Sequence, residues 1–356
     1  MHSLMEKAEI LRRVQACEAV VGVDLSNMDL AAADLSATLF DRCLFAGTQM
    51  AGADLTDTRF IRCAFARADL GRCVMRGTVF HESGIERVVA AGTTLKNVTF
   101  HACTIDGLAL THAALDFVTF SHCRIDKLLL REARLDKVTL ATCTTAAIDF
   151  SAASLERTVL LECDLRQCRF VGTRFSTVIF SKSLLAGLGF AGQHFVNAQF
   201  MEADLRGCDF SGAQLAHANF QSATLAGARF DGAHAPNAIF MAAQLQGASF
   251  ARAGLRQALF IDAKAAQANF AGADLYQSNW AGATLTEARL DDCELTYADF
   301  SHADLTRADL RGAVMFRAKL HAIVDEGARF SDRARALESE PEQLAAERWR
   351  PAALNL

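Results

Sequence analysis

Eleven cysteines are the residues of this chain best able to do chemistry, and six of them keep a strict spacing. Cys43, Cys63, Cys103, Cys123, Cys143 and Cys163 lie a multiple of twenty residues apart, with Ser83 in the gap. Thiols at regular intervals raise two chemistries, a tetrahedral zinc centre or a set of disulfides. Gly187-Leu188-Gly189-Phe190-Ala191-Gly192 reads GxGxxG, a fingerprint that holds pyrophosphate only between a strand and a helix N-terminus. His81 and His101 share the twenty-residue spacing. So do two acidic series, Glu86, Asp106 and Asp126, and Asp116, Asp136 and Glu156. GxSxG, HExxH and Walker-type motifs are absent from the sequence. Whether any of these groups converge depends on the elements that carry them.

Those elements follow a period of five. From Leu25 to Leu320, stepping by five, all but four of 60 positions are Leu, Phe, Ile, Met or Trp. The exceptions are Ala90, Thr145, Ala235 and Ala265. Two residues earlier the site is small or β-branched, and from Ala198 to Ala318 it is Ala in 22 of 25 cases. Asp or Asn often stands between the two, as in Ala203-Asp204-Leu205, and Gly recurs two residues after the large one, as at Gly207. Such a period fits neither an ordinary helix nor an alternating strand. It suits a solenoid that turns a corner once per pentapeptide, with the large and small residues inward and Gly easing the turn. Phenylalanines twenty apart, from Phe40 through Phe120 and from Phe150 through Phe270, then form columns of stacked coils. Sixty repeats make about 15 coils and a rod about 70 Å long at the strand spacing.

The A(D/N)LxG repetition resembles the pentapeptide repeat family over residues 21–320. The resemblance implies an all-β solenoid, a right-handed quadrilateral parallel β-helix with four pentapeptides per coil. The expected organisation is a capping helix over 1–20, the β-helix over 21–320, and a helical cap or tail over 321–356. Within the β-helix, 21–195 has an enlarged small site (Val98, Leu108, Val118, Leu128, Val138, Ile148) and 196–320 is Ala-rich. The enlarged half is expected to be wider or built on a different corner. Leu4, Ala8, Leu11 and Val14 recur at helical spacing, which gives a helix over 3–19. Ser339 and Glu342 form a capping box that opens a second helix before Pro351, with Leu344 and Trp349 as a cap or dimer contact. His234-Ala235-Pro236 predicts a kink or bulge.

This frame decides the opening candidates. A straight stack of cysteines does not wrap around zinc, and neighbouring coils lie too far apart for disulfides. Ten of the eleven therefore read as small buried hydrophobes, with Cys17 outside, which suits a reducing, cytoplasmic compartment. Phe190 sits in register, so the glycine motif is a coincidence of the repeat. His81 and His101 read as solvated surface residues. No cofactor, metal or small-molecule substrate is expected, and a convex solenoid with a filled core lacks a catalytic cleft, so the reading is non-enzymatic.

What remains is surface. Ile239, Met241, Leu259 and Ile261 project outward on adjacent coils, and Met201, Ile179 and Leu161 extend that face. The primary expectation is a bacterial scaffold for protein–protein contacts, its partner a protein or a second copy of the chain. Net charge is only −5 from 36 basic and 41 acidic residues, which excludes direct nucleic-acid binding as the default. No run of apolar residues is long enough to span a membrane. The family resemblance implies an alternative, DNA mimicry toward a topoisomerase such as gyrase, for which the two acidic series would be the ladders. The segment Val21-Gly22-Val23-Asp24-Leu25-Ser26 resembles accessory proteins of type VI-like bacterial secretion machines, a second alternative.

Overall fold

The computed structural model describes residues 3, 4 and 6–349. The chain forms two compact units, Met1–Leu184 and Leu185–Leu356. Each is a parallel β-helix whose coils advance twenty residues at a time. In the first unit, Phe40 pairs with Phe60, Phe60 with Phe80, Phe80 with Phe100, and Phe100 with Phe120, all in parallel. In the second, the same step links Gln199 to Asn219, Asn219 to Ile239 and Ile239 to Leu259. All 60 positions of the five-residue register are buried.

The corner explains the composition of the repeat. Two residues after most large core residues the backbone enters the left-handed region, at φ +65° in Gly207 and +61° in Asn197, with Lys127, Ala147 and Gln167 as exceptions. That conformation is free for Gly and costs other residues about 1–2 kcal/mol. The Asp or Asn before the large residue accepts the N–H two residues on, as Asp209 does from Ser211 at 2.9 Å and Asn279 from Ala281 at 3.0 Å. Such side chains make the local bond that a turn would otherwise owe to water.

Corners differ in how they satisfy the carbonyl of the core residue. In the second unit an Ala at the small site closes the turn itself, with Ala198 N–H donating to Phe195 O at 3.0 Å. At the cysteine corner of the first unit, among the described residues, no such bond closes. There the small-site thiol or hydroxyl donates to a carbonyl 23 residues back, one coil earlier. Cys63 Sγ reaches Phe40 O at 3.4 Å, Ser83 Oγ reaches Phe60 O at 3.3 Å, and Cys103 Sγ reaches Phe80 O at 3.3 Å. Threonines do the same at other corners, Thr78 to Leu55 O at 2.8 Å among them. The small site is therefore both packing and hydrogen bonding. Ser278, an exception among the alanines, accepts the buried indole N–H of Trp280 at 2.8 Å.

Four expectations need correction. The N-terminal helix α1 spans Lys7–Gln15, not 3–19, and its buried residues are Ile10 and Val14 rather than a stripe through Ala8 and Leu11. Ser3–Leu4 instead adds a parallel strand beside Val23–Asp24, covering an open edge, so the helix starts only after it. Pro236 introduces no kink. Ala235 N–H still bonds Gly254 O at 2.7 Å and Pro236 O still accepts from His217 at 3.0 Å, because the first corner position suits the fixed φ of Pro. Beyond Leu320 the β-helix goes on for a further turn, with Arg329–Phe330 paired to Asp309–Leu310 and Leu337 bridged to Lys319. Helix α2, Pro341–Arg348, has Glu340 at its N-cap. Ser339 accepts from the Ala322 N–H at 2.8 Å instead, so it caps the last coil and not the helix.

Candidate protein-binding faces

In the second unit, Ile239 and Leu259 bridge directly, and Met241 and Ile261 flank the inward Phe240 and Phe260 two residues on. All four are half-buried. Asn219 pairs with Ile239 on one side and Asn279 with Leu259 on the other, so two polar rungs bound the cluster. Ile239 and Leu259 occupy the position where Asn219 and Asn279 each accept an N–H two residues on. The two apolar residues forgo that bond. Met201 is half-buried and stands apart, since Asn219 and Gln221 lie between it and the cluster. Leu161 and Ile179 belong to the first unit, where Ile179 bridges Val159. Within the second unit the expected strip is thus a four-residue cluster and one methionine set off from it.

The acidic series are short and compensated. Asp116, Asp136 and Glu156 stack in register beneath Lys96. Arg157 lies 2.7 Å from Asp136 and 3.1 Å from Glu156. Glu86 pairs with Asp106, but a register shift sets Asp106 opposite Lys127, so Asp126 is not the next rung. Asp126 pairs with Arg124 at 3.1 Å. The ladder breaks there because the register slips and then recovers, leaving Asp126 on one strand and Gly107 on the other without a cross-strand partner.

Ten cysteines are buried and free, and Cys17 is exposed. Burial pushes the thiols of Cys73, Cys163, Cys168, Cys208 and Cys293 up to about 12. His81 and His101 stack with ring centres 5.3 Å apart, and His122 meets His101 edge-on. Gly187 and Gly192 are ordinary corners, with φ +78° and +68°.

One grouping escaped the sequence. His302, His321 and Glu347 meet at the C-terminal end of the second unit. Glu347 Oε2 lies 3.0 Å from His321 Nε2 and 3.5 Å from His302 Nε2. The two histidines are 19 residues apart, off the twenty-residue step, and the glutamate arrives on α2. No local spacing announces that convergence.

A four-sided parallel solenoid with stacked inward columns defines the class to which this chain belongs. A family model for pentapeptide repeats matches residues 21–57, 147–181, 192–234, 238–275, 268–307 and 293–322. The chain belongs to the pentapeptide repeat family. It is similar to HetL, a pentapeptide repeat protein involved in heterocyst differentiation regulation from the cyanobacterium Nostoc sp. strain PCC 7120. That alignment has 20% identity, covers 88% of this chain and 96% of HetL, and gives a TM-score of 0.19. Full-length QnrB1, a plasmid-mediated fluoroquinolone resistance protein, matches at 14% identity over 63% of this chain and 97% of its own, TM-score 0.20. A pentapeptide repeat protein of the Arabidopsis thaliana thylakoid lumen matches at 28% identity over 36% and 68%, TM-score 0.16. No curated protein matches the chain. Among the described residues no helix is long and apolar enough to cross a membrane.

Proposed function

We propose that this protein is a non-enzymatic scaffold of the bacterial cytoplasm that binds another protein through the cluster Ile239, Met241, Leu259 and Ile261. One observation carries the reading. Ile239 and Leu259 stand where polar neighbours make a turn bond, and they give up that bond to present apolar surface. A place where a local rule is broken without a packing gain is where function is expected. Met201, and the pair Leu161 and Ile179, are secondary contacts. The free thiols favour a reducing compartment. DNA mimicry toward gyrase fares less well, because each acidic series is short and has arginine or lysine beside it. A role in a secretion machine would use the same apolar cluster and differs only in the partner recovered.

The test is the double substitution Met241→Glu, Ile261→Glu, followed by circular dichroism, melting, light scattering and pull-down with mass spectrometry. The fold is expected to persist while self-association or a specific partner is lost. A variant that folds and keeps every association of the parent refutes the assignment. A supercoiling assay with gyrase separates the mimicry alternative.

A further inference from the structure

We propose that His302, His321 and Glu347 form a binding site for one divalent transition-metal ion of the zinc type, which fastens helix α2 to the end of the β-helix. The three ligand atoms lie within 4.8 Å of one another. Around a tetrahedral zinc with bonds of about 2.0–2.1 Å, neighbouring ligand atoms stand about 3.3 Å apart. Two of the three edges, 3.0 Å and 3.5 Å, already match that figure. The remaining edge, between the histidines, closes by rotation of the exposed His302 ring. The two rings stand 5.4 Å apart at 86°, and both Nε2 atoms face the same carboxylate oxygen of Glu347. His321 is only 7% exposed, which fixes one ligand by packing.

The donor set selects the metal class. Two imidazoles and one carboxylate suit zinc, copper or nickel, whereas calcium and magnesium take oxygen ligands. Three protein ligands leave a fourth position to water. The metal replaces the proton on Nε2 of each histidine, which moves to Nδ1 or to solvent.

The helix has little else to hold it. It is eight residues long, a length marginal in water on its own. Among its described residues only Leu344 is half-buried, and the following Trp349 is 69% exposed. Gln343 steadies the ligand, donating to Glu347 Oε1 at 3.0 Å. Without metal, Glu347 holds the helix only through solvent-screened contacts with His321 and His302. Metal binding would therefore be coupled to docking of the helix.

The experiment uses the full chain, freed of metal by a chelator, with Co²⁺ as the spectroscopic probe and Zn²⁺ in competition against a chromophoric chelator. One Co²⁺ per chain is expected, with ligand-field bands and no thiolate charge-transfer band, which excludes the cysteines. Glu347→Gln and His302→Gln, both at exposed positions, should each weaken Zn²⁺ binding by at least about 100-fold, since even an outer-sphere partner costs 10–100-fold. Hydrogen exchange at residues 341–348 should slow on adding Zn²⁺ in the parent and not in either variant. Circular dichroism reports that the β-helix survives both changes. Failure of the parent to take up one equivalent, or equal affinity in parent and variants, overturns the site.

Discussion

Phe240→Ala tests the stacked core most sharply. The ring is fully buried and lies parallel to Phe220 and Phe260, each 4.9 Å away. Phe230 and Phe250 from the opposite column meet it edge-on at 5.7 Å and 5.4 Å. Truncating a core Phe costs about 3–5 kcal/mol. Aromatic pairs add about 0.5–1.5 kcal/mol apiece beyond their area. Four such pairs put this site at the upper end, near about 5 kcal/mol. Gln244→Ala, exposed on the adjoining face, should stay within about 0.5 kcal/mol. Because a solenoid coil contacts only its neighbours, the damage should be centred on residues 221–260. Guanidinium unfolding followed by far-ultraviolet circular dichroism gives the magnitude, and hydrogen exchange gives the location. A loss below about 1.5 kcal/mol, or one equal to that of Gln244→Ala, would refute the column as the source of stability.

Three further outcomes are expected. An Ellman titration of the native protein should find one or two reactive thiols, Cys17 first, and all 11 after denaturation; abundant native reactivity would contradict an inward small site. Ser278→Ala strands the indole N–H of Trp280 and should cost about 1–3 kcal/mol, and adding Trp280→Phe should restore part of it; additive losses in thermal melts would count against the bond. Arg311, with Arg329 beside it, holds the Asp309 carboxyl down at about 2, below its ordinary 3.8. The unfolded chain thus takes up that proton first, so its stabilisation is present above about pH 4 and fades as pH falls toward 2. Asp309→Asn should flatten that part of a melting-temperature profile, and an unchanged profile would remove the residue from the acid response.

The fold was legible because one side-chain pattern repeats without insertion. Every residue of the five-residue register from Leu25 to Leu320 sits inside, and the cysteines of the column sit where the period put them. Hydrogen-bond roles were less legible. Reading Cys63 and Cys103 as plain hydrophobes missed the carbonyls one coil back, because a 23-residue reach is visible only once coils are stacked. Capping by Ser339 was misplaced for a related reason. Its partner, Ala322, is remote in sequence, while Glu342 is near and suggestive. Asp126 left its ladder through a register slip that the unbroken period does not encode. The His302, His321 and Glu347 grouping lay hidden because it joins two coils to a helix outside the repeat.

The two kinds of corner carry a consequence for how the β-helix opens. A corner closed by its own Ala N–H is complete without the next coil, as at Phe195 and Ala198. At the cysteine corner, the carbonyl of Phe40 waits for the thiol of Cys63, and that of Phe60 for the hydroxyl of Ser83. Nearest-neighbour coupling is therefore stronger where side chains reach back than where each turn is self-sufficient. We expect native-state hydrogen exchange to show openings spanning several coils at once among residues 40–180, and openings nearer to single coils among residues 195–320. Openings of the same size in both stretches would mean that the backbone ladder alone sets the cooperativity. In the first unit the unit of unfolding is then larger than the unit of sequence.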